Sequence, residues 1–258
     1  LEAAGDRPAQ TRTLLRLADS YEQLGESAAA LQKYQQALAL APDDAAALER
    51  YAAVAARHGD ATDAIAAYRR LLERNDGASD RRRRSEQQLL QLLVIIGDRQ
   101  EARQLLPSVS DEPAPELLMS LARLDEAFDD LPAAADLWAR AAAQLDGQHA
   151  ADAELERARI CRAAHRSDEE QQALARAFAL APTGAEGLAA ASGLIRLARE
   201  ADDRAAEGAW LDRILSCQPP PAQHAELALR RAQLFLDAGD ADGAARVLEA
   251  LEATGQGG

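Results

Sequence analysis

The sequence predicts an all-α fold, a right-handed superhelical solenoid of about seven helical hairpins. The main evidence is a set of residues that returns after 34 positions: Tyr21, Gly25, Ala30 and Tyr34 reappear as Ala55, Gly59, Ala64 and Tyr68. A fixed period of this length is typical of stacked helical hairpins, each burying its apolar stripe against its neighbours. Hydrophobic residues make up 48% of the chain and aromatic residues only 3%, so alanine and leucine, which favour helices, supply most of the apolar surface. No segment shows the alternation of β-branched residues that indicates a strand.

Three positions of the first repeat explain why its sequence should form a hairpin. Ala18 is small where the two helices cross closely, and Gly25 ends the first helix in the left-handed conformation that glycine adopts at little cost. Tyr34 fills the space between hairpins with a large apolar side chain. Residues 17–44 and 51–76 resemble tetratricopeptide repeats. The resemblance implies two helices per repeat and a curved surface that binds other proteins.

Later repeats keep the spacing but lose some of the residues typical of the family. Asp125 stands where the family prefers an aromatic residue, Trp138 replaces the second tyrosine, and His165 replaces the turn glycine. In the third repeat, Pro107 is expected to cut the second helix short. The seven repeats are expected to start near residues 11, 45, 83, 115, 151, 188 and 225. Residues 1–10 are assigned to a linker or the end of a preceding repeat, 11–254 to the solenoid and 255–258 to a flexible tail.

Net charge and residue spacing argue against several classes of function. The formal net charge is −14 and the pI is about 4.8, which argues against nucleic acids and anionic membrane surfaces as partners, because both attract basic surfaces. No apolar run is long enough to insert into a membrane. The four histidines and two cysteines are scattered, so no metal-binding or nucleophilic arrangement is visible. The sequence therefore predicts a protein without enzymatic activity, cofactor or metal.

Two groups of arginines are candidates for partner binding. The first is the run Arg81, Arg82, Arg83 and Arg84, which lies near the predicted start of a helix, where positive charges oppose the helix dipole. We interpret this run as a solvated junction between repeats two and three, with a docking patch as the alternative.

The second group emerges when the repeats are aligned. The tetratricopeptide resemblance implies that the first helix of each hairpin lines a concave groove. On that helix, the alignment places at one position Asp19, Glu49, Gln91, Arg123, Arg159, Arg196 and Gln233, and one turn later Glu126, Arg162 and Arg199. The five arginines would form a basic stripe across repeats four to six that can bind carboxylates on a partner. The alternative is that these arginines pair with nearby acidic residues of the same chain.

The repeat architecture favours a protein-interaction scaffold over an enzyme. The degenerate tandem repeats, rich in alanine, leucine and arginine, also resemble the periplasmic tetratricopeptide regions of bacterial outer-membrane exopolysaccharide exporters of the Pel, cellulose and poly-N-acetylglucosamine systems. This resemblance implies a periplasmic segment of a larger outer-membrane-associated protein, which docks a polysaccharide-modifying enzyme during biofilm polymer export. Two alternatives are direct guiding of a cationic polysaccharide along the solenoid and a general adaptor role in cell-envelope assembly. A cytoplasmic location is the alternative to the periplasm.

Overall fold

Fourteen α-helices make up the part of the chain that the structure describes. The structure is a computed structural model that describes residues 7–73, 79–109 and 113–253, and no strand occurs within these ranges. The helices follow one another as seven hairpins, which confirms the predicted all-α fold of helical repeats. The chain divides into two compact units, Leu1–Pro113 with hairpins one to three and Ala114–Gly258 with hairpins four to seven.

Unit 1 contains three hairpins, in which each helix packs against the helices next to it in the chain. The helices are α1 (Arg7–Gln23), α2 (Ser27–Leu40), α3 (Ala45–His58), α4 (Ala61–Glu73), α5 (Ser79–Ile96) and α6 (Arg99–Val109). Helix α1 begins inside the segment 1–10 that the sequence assigns to a linker or preceding repeat. The expected early end of the sixth helix is wrong, because α6 continues through Pro107 and ends at Val109. Pro107 lies in the last turn, so the clash and the missing N–H that proline introduces disturb only the end of the helix.

Unit 2 contains four hairpins with the same consecutive packing, and its first helices α9 and α11 also contact each other. The helices are α7 (Pro115–Ala127), α8 (Leu131–Ala142), α9 (Gly147–Ala163), α10 (Ser167–Leu180), α11 (Ala185–Glu200), α12 (Arg204–Ser216), α13 (Pro221–Asp237) and α14 (Ala241–Ala253). Residues 255–258, which are expected to form a tail, lie outside the described residues.

The same turn joins the two helices of every hairpin. One residue of each turn, which we call the turn residue, has a positive φ between 51° and 91°: Gly25, Gly59, Gly97, Asp129, His165, Asp202 and Gly239. The N–H of the residue that follows donates to a carbonyl five residues earlier, as from Asp60 to Ala55 (2.9 Å), which is the bond of a Schellman motif. In five hairpins this following residue is an aspartate whose carboxylate caps the second helix: Asp60, Asp98, Asp130, Asp203 and Asp240. The predicted left-handed conformation at Gly25 and Gly59 is confirmed, and three hairpins adopt it without glycine.

Counting from the turn residue gives all hairpins a common register of buried positions. Seven residues before it, the side chain is buried in every hairpin: Ala18, Ala52, Leu90, Ala122, Ala158, Ile195 and Ala232. Nine residues after it, six hairpins bury a large side chain: Tyr34, Tyr68, Leu106, Trp138, Leu174 and Leu211. The predicted packing roles of Ala18 and Tyr34 are therefore confirmed, since both are fully buried. This register allows residues of different hairpins to be compared position by position.

Candidate functional site: the first-helix face of unit 2

The first helices α7, α9, α11 and α13 of unit 2 form a surface that we call the first-helix face. The common register places Arg123, Arg159 and Arg196 six residues before their turn residues, and Arg162 and Arg199 three residues before. The predicted alignment of these five arginines is thus supported by the turn geometry. The alignment is wrong in hairpin two, where the residue six positions before Gly59 is Ala53 and not Glu49. The spacing to the turn was misjudged there by four residues, about one helical turn.

Arg159 joins two successive hairpins of the first-helix face. Its guanidinium donates two hydrogen bonds to the carboxylate of Glu126 on α7 (2.7 and 2.8 Å) and one to Glu156 on its own helix (2.8 Å). These hydrogen bonds raise the pKa of Arg159, and the bond from Arg159 lowers the pKa of Glu126. A guanidinium bound at both edges of its fork is held in one orientation. The charge of Arg159 is therefore largely compensated inside the chain.

Two buried glutamates occupy a position that is alanine in every other hairpin. Five residues after the turn residue, the alanines are Ala30, Ala64, Ala102, Ala134 and Ala244. Hairpins five and six instead have Glu170 and Glu207, which are 4% and 2% exposed. A buried carboxylate is costly unless it is paired and hydrogen-bonded. Arginines of the stripe provide these partners.

Arg196 binds the first of these glutamates. It donates to the carboxylate of Glu170 on α10 and, at 2.7 Å, to Glu200 one turn further along α11. Burial raises the pKa of Glu170, and the positive charges of Arg196 and Arg162 oppose this increase. The pair therefore connects hairpins five and six through a carboxylate that burial makes harder to ionise.

Two arginines bind the second buried glutamate, one from the first helix of the same hairpin and one from hairpin seven. Arg230 on α13 donates two hydrogen bonds to Glu207 (2.8 and 3.0 Å), and Arg199 on α11 donates one (2.5 Å). The hydrogen bond from Arg230 is the main cause of the lowered pKa of Glu207, and Arg199 contributes in the same direction. Glu207 therefore remains ionised and connects hairpin six to hairpin seven.

The remaining two arginines of the stripe have no carboxylate partner among the described residues. Arg162 is exposed and makes no hydrogen bond or ion pair within that part of the chain. Arg123 is also exposed, and its guanidinium carbon lies 5.7 Å from the ring centroid of Trp138, a cation–π contact. The stripe therefore divides into three arginines that are bound by carboxylates of the chain and two, Arg123 and Arg162, that have no carboxylate partner in the described ranges.

Unit 1 repeats the use of arginine between successive first helices. Arg50 and Arg57 on α3 pair with Asp19 and Glu22 on α1. The hydroxyl of Tyr34 donates to the same two carboxylates (2.7 and 3.2 Å). Contacts of this kind bridge about 30 residues of sequence, one repeat length, so they stabilise the stacking of neighbouring hairpins.

The four adjacent arginines lie in the first two turns of α5. Arg81 pairs with Glu49 on α3 (3.2 Å), and Arg82 pairs with Glu86 on its own helix (3.0 Å). Arg84 donates to a backbone carbonyl of the same helix (3.4 Å). These contacts favour the interpretation of a hairpin junction over that of a docking patch.

Other kinds of site are not apparent in the described residues. No group of three or more histidine, cysteine, aspartate or glutamate side chains there could hold a metal ion. Cys161 and Cys217 are both free thiols, and burial raises the pKa of Cys161. Among the same residues, no helix combines the length and the apolar character that crossing a membrane requires.

Comparisons with known proteins agree with the repeat register. Residues 15–79, most of α1 through all of α4, match the family model of the tetratricopeptide repeat. No curated protein matches the chain. Hairpins one and two are therefore similar in sequence to tetratricopeptide repeats, and hairpins three to seven share their turn and register.

Solved structures that resemble the chain have low sequence identity to it. A tetratricopeptide repeat protein from Parabacteroides merdae ATCC 43184 is 15% identical over 95% of this chain and 93% of that chain, with a TM-score of 0.49. MamA 41-end from Desulfovibrio magneticus RS-1 is 13% identical over 66% and 92%, with a TM-score of 0.48. The pilF protein of Pseudomonas aeruginosa is 19% identical over 87% and 99%, with a TM-score of 0.42.

Proposed function

We propose that this chain is a non-catalytic scaffold that binds a protein partner. The proposal rests on the similarity of hairpins one and two to tetratricopeptide repeats and on the continuation of their register to hairpin seven. The partner binds the first-helix face of unit 2. The observation that carries this proposal is the set of five arginines at two register positions of three successive hairpins. Side chains at one register position of stacked repeats are neighbours, so a partner meets them as one surface.

The arginines have two roles in this proposal. Arg159, Arg196 and Arg199 are bound by carboxylates of the chain: Arg159 connects the first helices α7 and α9, Arg196 connects hairpin six to hairpin five, and Arg199 connects the two helices of hairpin six. Arg162 is exposed and can pair with an acidic side chain of the partner without the loss of an internal ion pair. Exposed charges of this kind increase the rate and specificity of association more than they increase affinity.

The identity of the partner rests on the resemblance of the repeats to exopolysaccharide exporters. We propose a periplasmic polysaccharide-modifying enzyme, with the chain as part of a larger outer-membrane-associated protein. The enzymes to test first are those encoded beside the gene of this protein. Direct guiding of a cationic polysaccharide is the competing proposal, and it requires no such enzyme.

Charge reversal at Arg162 tests the scaffold proposal. Arg162→Glu should lower the affinity for the partner enzyme about threefold to tenfold, because an exposed attraction worth roughly 0.2–1 kcal/mol becomes a repulsion. The matched control is Arg140→Glu on the second helix α8, since Arg140 is also exposed and makes no ion pair among the described residues. Affinity is measured by biolayer interferometry at two salt concentrations, and the effect of Arg162→Glu should shrink at the higher one.

Arg162 is chosen because it makes no hydrogen bond or ion pair among the described residues and acts on Glu170 only through its charge. Reversal of Arg159, Arg196 or Arg199 would place a negative charge beside Glu126, Glu170 or Glu207 and would destabilise the hairpins themselves. If Arg162→Glu and Arg140→Glu both bind like the unmodified chain, the first-helix face is not the contact surface. If the unmodified chain binds none of the neighbouring enzymes, the choice of partner is wrong.

A further inference from the structure

A cleft of about 550 Å³ opens between α7, α8 and α9 in unit 2. Its apolar lining includes the partly buried Met119, Leu145 and Leu155, together with the buried Trp138. Its exposed lining includes the acidic side chains Glu116 and Asp152. The volume lies in the range of about 300–1,000 Å³ that is typical of sites for small ligands or single side chains of a partner.

Carboxylates in this cleft are available to a ligand. Glu116 and Asp152 make no side-chain hydrogen bond or ion pair among the described residues. A third carboxylate of the lining, Glu156, is already bound to Arg159. The one arginine of the lining, Arg123, lies over the Trp138 ring. The cleft, which His149 also lines, thus has two unpaired negative charges against the one positive charge of Arg123. Beside the apolar surface, this excess of negative charge complements a ligand that combines an apolar group with a positive charge.

Trp138 adds a second and independent observation. It is 3% exposed, and its indole Nε1–H is buried without a hydrogen-bond acceptor. A buried donor without an acceptor is energetically unfavourable. Trp138 forms part of the cleft wall, and rotation of the indole toward the cleft on binding would let a backbone carbonyl of the ligand accept from Nε1. A peptide supplies such carbonyls along its whole length.

We propose that this cleft binds a segment of the partner protein in which a leucine-sized apolar side chain is adjacent to a lysine or arginine. The apolar side chain contacts Met119, Leu145 and Leu155, and the basic side chain pairs with Glu116 and Asp152. Met119 can adjust its three rotatable bonds to the shape of the apolar group. The inference rests on the proposed scaffold function and specifies the chemistry of the segment that it recognises. A sugar is disfavoured, because the ring faces of Trp138 are too buried to serve as a stacking platform.

A synthetic hexapeptide of alternating leucine and lysine tests this proposal directly. In a Trp210→Phe background, Trp138 is the remaining tryptophan of the two in the chain, and its fluorescence reports binding in the cleft. We expect saturable binding of this peptide and none of two control peptides, one with glutamate in place of lysine and one with serine in place of leucine. Glu116→Gln combined with Asp152→Asn should weaken binding about threefold to tenfold, as expected for two exposed ion pairs of roughly 0.3–0.7 kcal/mol each.

A matched double variant separates the cleft from the general acidity of the chain. Glu249→Gln combined with Asp168→Asn removes the same amount of charge outside the cleft lining. Both residues are exposed and make no side-chain ion pair in the described ranges. This double variant should bind the peptide like the background protein. Equal weakening by both double variants would overturn the cleft proposal in favour of non-specific attraction. Failure of the background protein to bind the leucine–lysine peptide would also overturn it. Trp138-reported binding of a fully deacetylated chitosan hexamer, without binding of the peptide, would assign the cleft to a polysaccharide instead.

Failure of the cleft proposal is distinguishable from failure of the scaffold proposal. If the peptide does not bind but Arg162→Glu still weakens the partner complex, the scaffold remains and the cleft chemistry is wrong. If the peptide binds as expected but no partner enzyme depends on Arg162, the cleft chemistry stands and the proposed partner or face is wrong.

Discussion

Replacement of the turn residue of hairpin five by glycine, His165→Gly, should stabilise that hairpin. His165 has a φ of 56°, a left-handed conformation that costs a residue with a Cβ roughly 1–2 kcal/mol. Glycine avoids this cost but loses more conformational entropy on folding, roughly 0.5–1 kcal/mol. The difference predicts a net gain of about 0.5–1 kcal/mol.

The reverse substitution in hairpin two should have the opposite effect. Gly59 has a φ of 91°, and an added Cβ would meet no heavy atom within 4 Å. The cost of Gly59→Ala is therefore conformational rather than steric, and the same two terms predict a loss of about 0.5–1 kcal/mol. His58→Gly is the matched control, because His58 is the last residue of a helix, where glycine is unfavourable.

Local hydrogen exchange is the appropriate measurement, because neighbouring hairpins of a repeat protein can open separately. Exchange in α9 and α10 should slow about twofold to fivefold in His165→Gly, the factor that corresponds to the predicted gain. Exchange in α3 and α4 should accelerate in Gly59→Ala and His58→Gly. If His165→Gly accelerates exchange as His58→Gly does, the explanation of the turn by backbone strain is refuted.

Three further predictions concern packing and buried charge. Ala18→Leu and Ala52→Leu place a larger side chain at a fully buried position and should destabilise their own hairpins by about 1–3 kcal/mol each; exchange that accelerates equally in all seven hairpins would contradict this. Glu207→Gln should destabilise the junction of hairpins six and seven by about 1–3 kcal/mol, because it removes a carboxylate with three hydrogen bonds from arginine. Because the pKa of Glu207 is lowered in the folded chain, its ionised form stabilises the fold at pH values above the ordinary glutamate pKa. Hydrogen exchange measured at decreasing pH should show this stabilisation disappearing as the pH falls through the lowered pKa of Glu207. Glu170 has a raised pKa, so the unmodified chain should lose stability in hairpin five as pH rises from about 4.3, the ordinary glutamate value, through the raised one. Glu170→Gln should abolish that loss of stability. If the stability of this variant depends on pH in the same way as that of the unmodified chain, Glu170 is not the cause of the loss.

The turn and the buried positions could be predicted because they recur. Gly25 and Gly59 show the turn pattern directly, and the substituted turn residues Asp129, His165 and Asp202 keep the same distance to the following buried position. The course of α6 through Pro107 could not be predicted in the same way, because a proline near a helix end costs too little to decide where the helix stops. The register error at Glu49 has a different origin, because the 34-residue offset applied to Asp19 gives Ala53, and Glu49 lies four residues before it.

The partners of the arginines could not be derived from the repeat period. Arg159 reaches Glu126 and Arg196 reaches Glu170, two acids at different register positions, so no single offset finds both. A signal was nevertheless present, because Glu170 and Glu207 replace an alanine that the other five hairpins keep. A charged residue at a buried position requires a partner of opposite charge. For both glutamates, the following hairpin supplies an arginine. The cleft carried a comparable signal, since Glu116 and Asp152 both lie thirteen residues before their turn residues, and side chains at one register position of stacked repeats are neighbours.

The buried glutamates give hairpins five to seven a fixed order, which matters when repeat proteins are rearranged by duplication or by design. Hairpin five is compatible only with a successor that supplies the equivalent of Arg196, and hairpin six with one that supplies the equivalent of Arg230. Insertion of a copy of hairpin three, which has Gln91 at the register position of Arg196, between hairpins five and six would separate Glu170 from its partner on α11. A copy of hairpin four, which has Ala134 at the register position of Glu170, would bury no additional carboxylate at this position when placed directly after the original. Rearranged chains should therefore fold when the new junction follows a hairpin with alanine at this position, and should fold poorly when it follows a hairpin with glutamate there and the next hairpin lacks the arginine. The turn within the hairpin is the same in both cases.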